Sequence, residues 1–137
     1  MMANVYLDSN IVIPLIEGDA ARKSALATRL TERAGSTGRC VVSDLVRLEC
    51  RVKPMRTGDA ALLRDYDGYF ASEDIVLAAL APSTYDRATE IRARHRYSVA
   101  DSLHLAAAIE ASCDHFITAD AQLAGFTGIP VVLLKPD

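Results

Sequence analysis

Asp8, Glu49, Asp101 and Asp120 are the residues of this chain whose type and setting could do chemistry together. Val5-Tyr6-Leu7 is a short apolar run that ends abruptly in Asp8-Ser9-Asn10, the pattern of a buried strand that delivers one carboxylate to its carboxyl end. Glu49 lies on the helix that follows a second such run, Asp101 near the start of an alanine-rich helix, and Asp120 just after a further strand. In a parallel sheet these junctions share one rim, and the crevice outside the carboxyl ends of the strands is where ligands bind. Carboxylates that converge repel, and each has its pKa raised unless a cation neutralises them. Oxygen ligands at a rim that water reaches suit Mg²⁺, or Mn²⁺, rather than zinc. His95, His104 and His115 show no ligand-pair spacing. His104, three residues from Asp101 on one helix face, could touch the site, but reads first as a hydrogen-bonded structural histidine.

Each acid also has a plain structural reading. Asp8, Ser9 or Asn10 could simply cap the next helix, Asp101 completes a capping-box-like Ser98-x-x-Asp101, and Asp120 could cap a short turn. Glu49 could pair with Arg51 or Lys53. Four incidental acids at four equivalent junctions is the weaker explanation.

The elements that must position these acids follow from periodicity and punctuation. Ile11 to Glu17 is a short helix stopped by Gly18, and Asp19 caps a longer one from Ala20 to about Ala34, closed by Gly35-Ser36-Thr37-Gly38. Cys40-Val41-Val42 is a second strand, and Ser43-Asp44 starts a helix from Leu45 to about Val52 that Pro54 is expected to end. Ala60 to about Ala71 carries an apolar helical stripe, Ile75-Val76-Leu77 is a third strand, and Ser83 or Thr84 opens a helix that ends near Arg92 to Arg96. The segment from Ser102 to Ile109 is apolar enough to lie flat on a sheet. His115 to Thr118 and Pro130 to Leu134 supply the last two strands. Strands alternating with helices, without hairpin signals, predict a three-layer α/β/α sandwich around a central, mostly parallel five-stranded sheet.

At 137 residues the chain is expected to form a single domain over 1–137. It is 50% hydrophobic and 24% charged, a globular profile rather than a disordered one. The mean hydropathy of +0.13 fits a covered sheet, or a partner surface left open. A net charge of -3 excludes holding nucleic acid by mass electrostatics, so any such role must be local. Arginines cluster close in sequence to the acids, at Arg47 and Arg51 and at Arg92, Arg94 and Arg96. Three cysteines without a Cys-x-x-Cys pair suggest neither a disulfide framework nor a zinc knuckle. With no signal peptide pattern and no bilayer-length apolar run, a cytoplasmic chain with no membrane association is expected.

Leu7-Asp8-Ser9-Asn10, Ser43-Asp44-Leu45-Val46-Arg47-Leu48-Glu49, Ser98-Val99-Ala100-Asp101-Ser102-Leu103-His104-Leu105-Ala106-Ala107-Ala108 and Ile117-Thr118-Ala119-Asp120, in this order and spacing, resemble the motifs of PIN-domain ribonucleases. Within that group the chain is similar to the small VapC-type toxin of a VapBC toxin–antitoxin pair, over essentially its whole length. The resemblance implies a PIN-like fold and a Mg²⁺-dependent endoribonuclease, with the family's acids falling on Asp8, Glu49, Asp101 and Asp120. Asp8 and Asp101 would be direct ligands, with Glu49 and Asp120 holding bound waters or a second ion. Ser9, Asn10 and Thr118 match the polar positions that orient the first and fourth acids, Ser9 standing where threonine is common. RNA phosphodiesters would be hydrolysed by metal-activated water, leaving 5′-phosphate and 3′-hydroxyl ends. Arg47, Arg51, Arg94 and Arg96 would be phosphate contacts. The resemblance further implies a small antitoxin that covers the site, and homodimerisation.

Two other readings compete. A PIN-like module could bind RNA or protein without cutting. A receiver-like signalling domain is also parallel α/β with an acidic rim, and Leu134-Lys135-Pro136 mimics its lysine–proline signature, but Ile75 to Ala81 delivers no phosphoacceptor aspartate.

Overall fold

The computed structural model describes residues 3–35 and 38–135. The elements are β1 (Val5–Leu7), α1 (Ser9–Glu17), α2 (Ala20–Ala34), β2 (Cys40–Ser43), α3 (Asp44–Thr57), α4 (Ala60–Phe70), β3 (Ile75–Ala78), α5 (Pro82–Arg94), α6 (Val99–Glu110), β4 (His115–Thr118) and β5 (Val131–Leu133), with a 3-10 turn at Ala121–Gly125. All five strands pair in parallel, in the order β3-β2-β1-β4-β5. The sheet is therefore wholly parallel rather than mostly so. Receiver-type folds place their strands 2-1-3-4-5, so this order removes that reading.

The chain first walks outward from β1 to β2 and β3, then crosses back to β4 on the other side of β1. Right-handed crossovers send the first two connections over one face and the third over the opposite face. Accordingly α1 packs on α2 and α3, and α3 on α4, while α5 packs on α6, which lies across β2 and β4. The reversal beside β1 is the switch point at which open α/β sheets bind ligands. Val5, Tyr6, Leu7, Phe116 and Ile117 are wholly buried at the centre, under the run from Leu103 to Ala108 of α6. Small alanines let that helix approach the strands closely.

One boundary differs from expectation. Pro54 does not end α3; it lies buried inside the last turn, and the helix runs on to Thr57. Proline there removes a single backbone bond, and Gly58, left-handed at φ 70°, closes the helix by donating its N–H to the Met55 and Pro54 carbonyls. Ser36 and Thr37, expected to close α2, and Pro136 of the lysine–proline pair lie outside the described residues. Among the described residues no helix is long and apolar enough to cross a membrane.

The core assignment is testable by urea unfolding. Leu105→Ala, at a fully buried α6 position, is expected to cost about 2–5 kcal/mol, whereas Leu48→Ala, 57% exposed on α3, should stay within about 0.5 kcal/mol.

Candidate functional site

Asp8 sits at the carboxyl end of the central strand with 4% of its surface exposed. The backbone turns there from strand to helix, and Asp8 caps α1 by accepting the Ser9 N–H at 2.8 Å. The cap reading is thus correct, and it uses only Oδ1. The register Leu7 to Ile117 brings Thr118 alongside, and its hydroxyl donates to Asp8 Oδ2 at 2.9 Å. The Asn10 amide donates to Asp8 Oδ2 at 3.3 Å and to Thr118 Oγ1 at 3.1 Å, while its carbonyl accepts the Ala119 N–H at 3.0 Å. The Asp120 N–H donates to Thr118 Oγ1, and the Asp120 carboxylate accepts from Gln122 N–H at the head of the 3-10 turn. Asn10 and Thr118 therefore knit the first acid to the loop that carries the fourth, while Ser9 meets Asp8 only through its backbone N–H.

Glu49 reaches the same place from α3, half-buried, and its partner is neither Arg51 nor Lys53. Its Oε1 lies 2.6 Å from His104 Nε2, and that nitrogen is also 3.8 Å from Asp8 Oδ1. Ligand atoms of Asp8, Glu49 and His104 all fall within 4.8 Å of one another. Asp101, half-buried in the first turn of α6, is close enough to Asp8 and Asp120 for their charges to act on it. The α6 amino terminus is held by Ser98, whose hydroxyl accepts the Asp101 N–H at 3.0 Å.

Electrostatics follow from burial. Desolvation pushes the Asp8 carboxyl above the ordinary carboxylate range, against the pull of His104 and of the bonds from Thr118 and Ser9, with Glu49 adding to the rise. Burial likewise raises Asp101, reinforced by Asp8 and Asp120 and opposed by Ser98 and His104. For Glu49, burial works upward but is outweighed by the hydrogen bond and charge of His104 and by Ser9, so its carboxyl is held low. Two carboxyls strained upward beside a third that stays ionised form a donor set that fits a hard divalent cation. Of the four acids, Asp8 and Glu49 share the cluster whose ligand atoms lie within 4.8 Å of one another, and Asp101 and Asp120 are not part of it.

The arginines divide. Arg47 pairs with Asp44 at 2.9 Å and Arg51 with Asp67 at 2.9 Å, both at the surface. Arg94 and Arg96 are exposed on the approach to α6 and form no ion pair among the described residues. His104 is the residue whose role sequence reasoning underrated. Its spacing from Asp101 was the available signal, but the bond to Glu49 joins positions 55 apart and has no local signature.

A carboxyl raised in the folded state contributes stability while protonated, below the ordinary carboxylate range, and loses that contribution as pH rises through its folded value. Asp101→Asn removes the charge that is being penalised. With chelator present, the variant is expected to melt above the wild type near neutral pH, and the gap should close in acid. A variant that melts lower near neutrality would contradict the assignment.

The PIN domain model matches residues 5–128 of the chain. A search of curated proteins by sequence finds no match. Among solved structures, a chain of VapBC2 from Rickettsia felis, bound to a promoter DNA fragment, superposes with a TM-score of 0.76 at 12% identity, covering 95% of this chain and 98% of that one. DNA-bound VapBC from Salmonella typhimurium gives 0.75 at 14% identity, covering 96% and 98%. VapC20 of Mycobacterium tuberculosis, described as a toxin that cleaves the sarcin–ricin loop, gives 0.68 at 18% identity, covering 91% and 98%. The structural likenesses carry the fold, and with a family model matched over nine-tenths of its length the chain belongs to the PIN-domain family.

Proposed function

We propose that this chain is an endoribonuclease, the toxin of a type II toxin–antitoxin pair, with its active site in the rim cluster of Asp8, Glu49, Asp101 and Asp120. The observation that carries the reading is Asp8 itself, a carboxylate kept nearly out of solvent at the end of the central strand, with Glu49 in the same cluster and Asp101 near enough to feel its charge. Burying a carboxylate among carboxylates is costly unless a cation compensates. Mg²⁺ or Mn²⁺ bound there would supply Lewis acidity at the scissile phosphate and a more acidic water.

The chain's own residues do the rest. Asp8 and Asp101 would hold the cation directly, Asp8 being fixed in one rotamer by Ser9 N–H, Thr118 and Asn10. Glu49 and Asp120 would hold the waters around it. Arg94 and Arg96, which form no ion pair among the described residues, would meet the phosphates, whereas Arg47 and Arg51 would first leave their aspartates. Products would carry 5′-phosphate and 3′-hydroxyl ends.

The solved relatives named for toxin–antitoxin assemblies support a small antitoxin as partner. Leu48, Val52 and Met55 follow one another along an exposed side of α3, and such apolar surface is consistent with a chain that is covered in its working state, by the antitoxin or by a second copy. The assignments of a single domain and a cytoplasmic location belong to the same proposal.

The test is cleavage of total cellular RNA by partner-free protein with Mg²⁺, with Mn²⁺ and with chelator. Discrete, metal-dependent fragments with 5′-phosphates are expected, and Asp8→Ala and Asp101→Ala should each lower the rate at least about 100-fold, in keeping with loss of a group that stabilises the transition state. Undiminished cleavage by either folded variant would refute the ligand assignment. Absent metal binding and absent cleavage would leave a non-catalytic PIN-like binding module.

A further inference from the structure

We propose that His104 is a positioning residue of this site: it holds the Glu49 carboxylate beside Asp8, and it is itself held by Tyr6 and Ser43. The inference rests on the rim reading above and adds to it a device outside the four acids.

The bonds form one chain. Ser43 Oγ lies 2.8 Å from the Tyr6 hydroxyl, that hydroxyl 2.9 Å from His104 Nδ1, and His104 Nε2 2.6 Å from Glu49 Oε1. Ser43, Tyr6 and His104 are each no more than 1% exposed, so these groups have only one another to bond. An ionised Glu49 can only accept, so Nε2 carries a proton toward it; the bonds among Nδ1, the Tyr6 hydroxyl and Ser43 Oγ run head to tail in one direction when Nδ1 accepts and in the other when it donates. Every member has a partner in either case. Both imidazole nitrogens are engaged, and turning the ring would orphan two buried groups at about 1–3 kcal/mol each.

The consequence falls on Glu49. Its side chain is 30% exposed and has three rotatable bonds, and it comes from α3, which is not packed side by side with α6. Besides His104, only the half-buried Ser9 is placed to bond its carboxylate among the described residues. With His104, a rotor-rich side chain becomes a preorganised oxygen set against Asp8. A nitrogen that bears a proton toward Glu49 offers no lone pair to a cation, so His104 acts through Glu49 and not as a ligand. Outer partners of this kind commonly change metal affinity or activity by about 10–100-fold when removed.

Calorimetric titration of Mn²⁺ into the full chain tests this, with wild type, Asp8→Asn, His104→Ala, His104→Gln and Tyr6→Phe, each first shown by thermal melting to be folded. Asp8→Asn should abolish binding. His104→Ala should weaken it about 10–100-fold, His104→Gln, whose amide can still donate to Glu49, should restore most of the loss, and Tyr6→Phe should fall between. Pulsed electron paramagnetic resonance of the bound Mn²⁺ should show no directly bonded nitrogen. Wild-type affinity in His104→Ala, or a nitrogen bonded to Mn²⁺, overturns the inference while the rim reading stands. Should His104→Ala not fold, wild-type affinity in Tyr6→Phe overturns it instead. No Mn²⁺ binding by wild type removes the rim reading and this inference together.

Discussion

Electrostatic repulsion among carboxylates brought to one rim is the constraint on which the rest of this structure depends. Asp8 is almost wholly removed from water, Asp101 is half-removed beside it, and both carboxyls are pushed upward as a result. Such an arrangement opposes folding, and the surrounding groups act to contain it. Ser9 N–H, Thr118 and Asn10 distribute the charge of Asp8 over three donors, and His104 does the same for Glu49. The chain therefore keeps a locally unfavourable site inside a favourable frame, the pattern expected where function rather than stability selects residues.

The frame follows from one topological fact. Because the third crossover returns past β1, the strand that carries Asp8 lies between β2 and β4. The carboxyl end of β4 then meets residues leaving β1, which places Thr118 against Asp8 and Asp120 within reach of Asp101, while α3 and α6 start from the same rim and bring Glu49 and Asp101. Tyr6 serves both the frame and the site. Its ring stacks on Phe116 in the core at 5.4 Å, and its hydroxyl links Ser43 to His104 in the chain of bonds behind Glu49.

Much of this was legible in the sequence because the relevant signals are local. Short apolar runs bounded by Asp, Ser or Gly marked β1, β2 and β4, and Ser98 and Asp19 marked the starts of their helices in the positions they take. Strand order was not legible, since pairing in a parallel sheet joins residues such as Tyr6 and Phe116 that are far apart in the chain. Pro54 misled because a proline in the last turn loses one bond rather than a ladder of them. His104 is the hydrogen-bonded, buried histidine that its place on an apolar helix face suggests, while its partners Tyr6 and Glu49, far off in the chain, were not legible. The arginines lie close to the acids in sequence, but the ion pairing of Arg47 and Arg51 depends on Asp44 and Asp67, a choice that sequence leaves open.

If crowded charge is the organising constraint, a cation that relieves it must stabilise the fold. Thermal melting of the wild-type chain at saturating Mn²⁺ against the same chain in chelator measures this directly. Free cation at 100 times its dissociation constant adds about 2.7 kcal/mol through linkage, so the midpoint should rise by several degrees. An unchanged melting curve at saturating Mn²⁺ would contradict the account, because carboxylates that do not gain from a cation are not gathered for one.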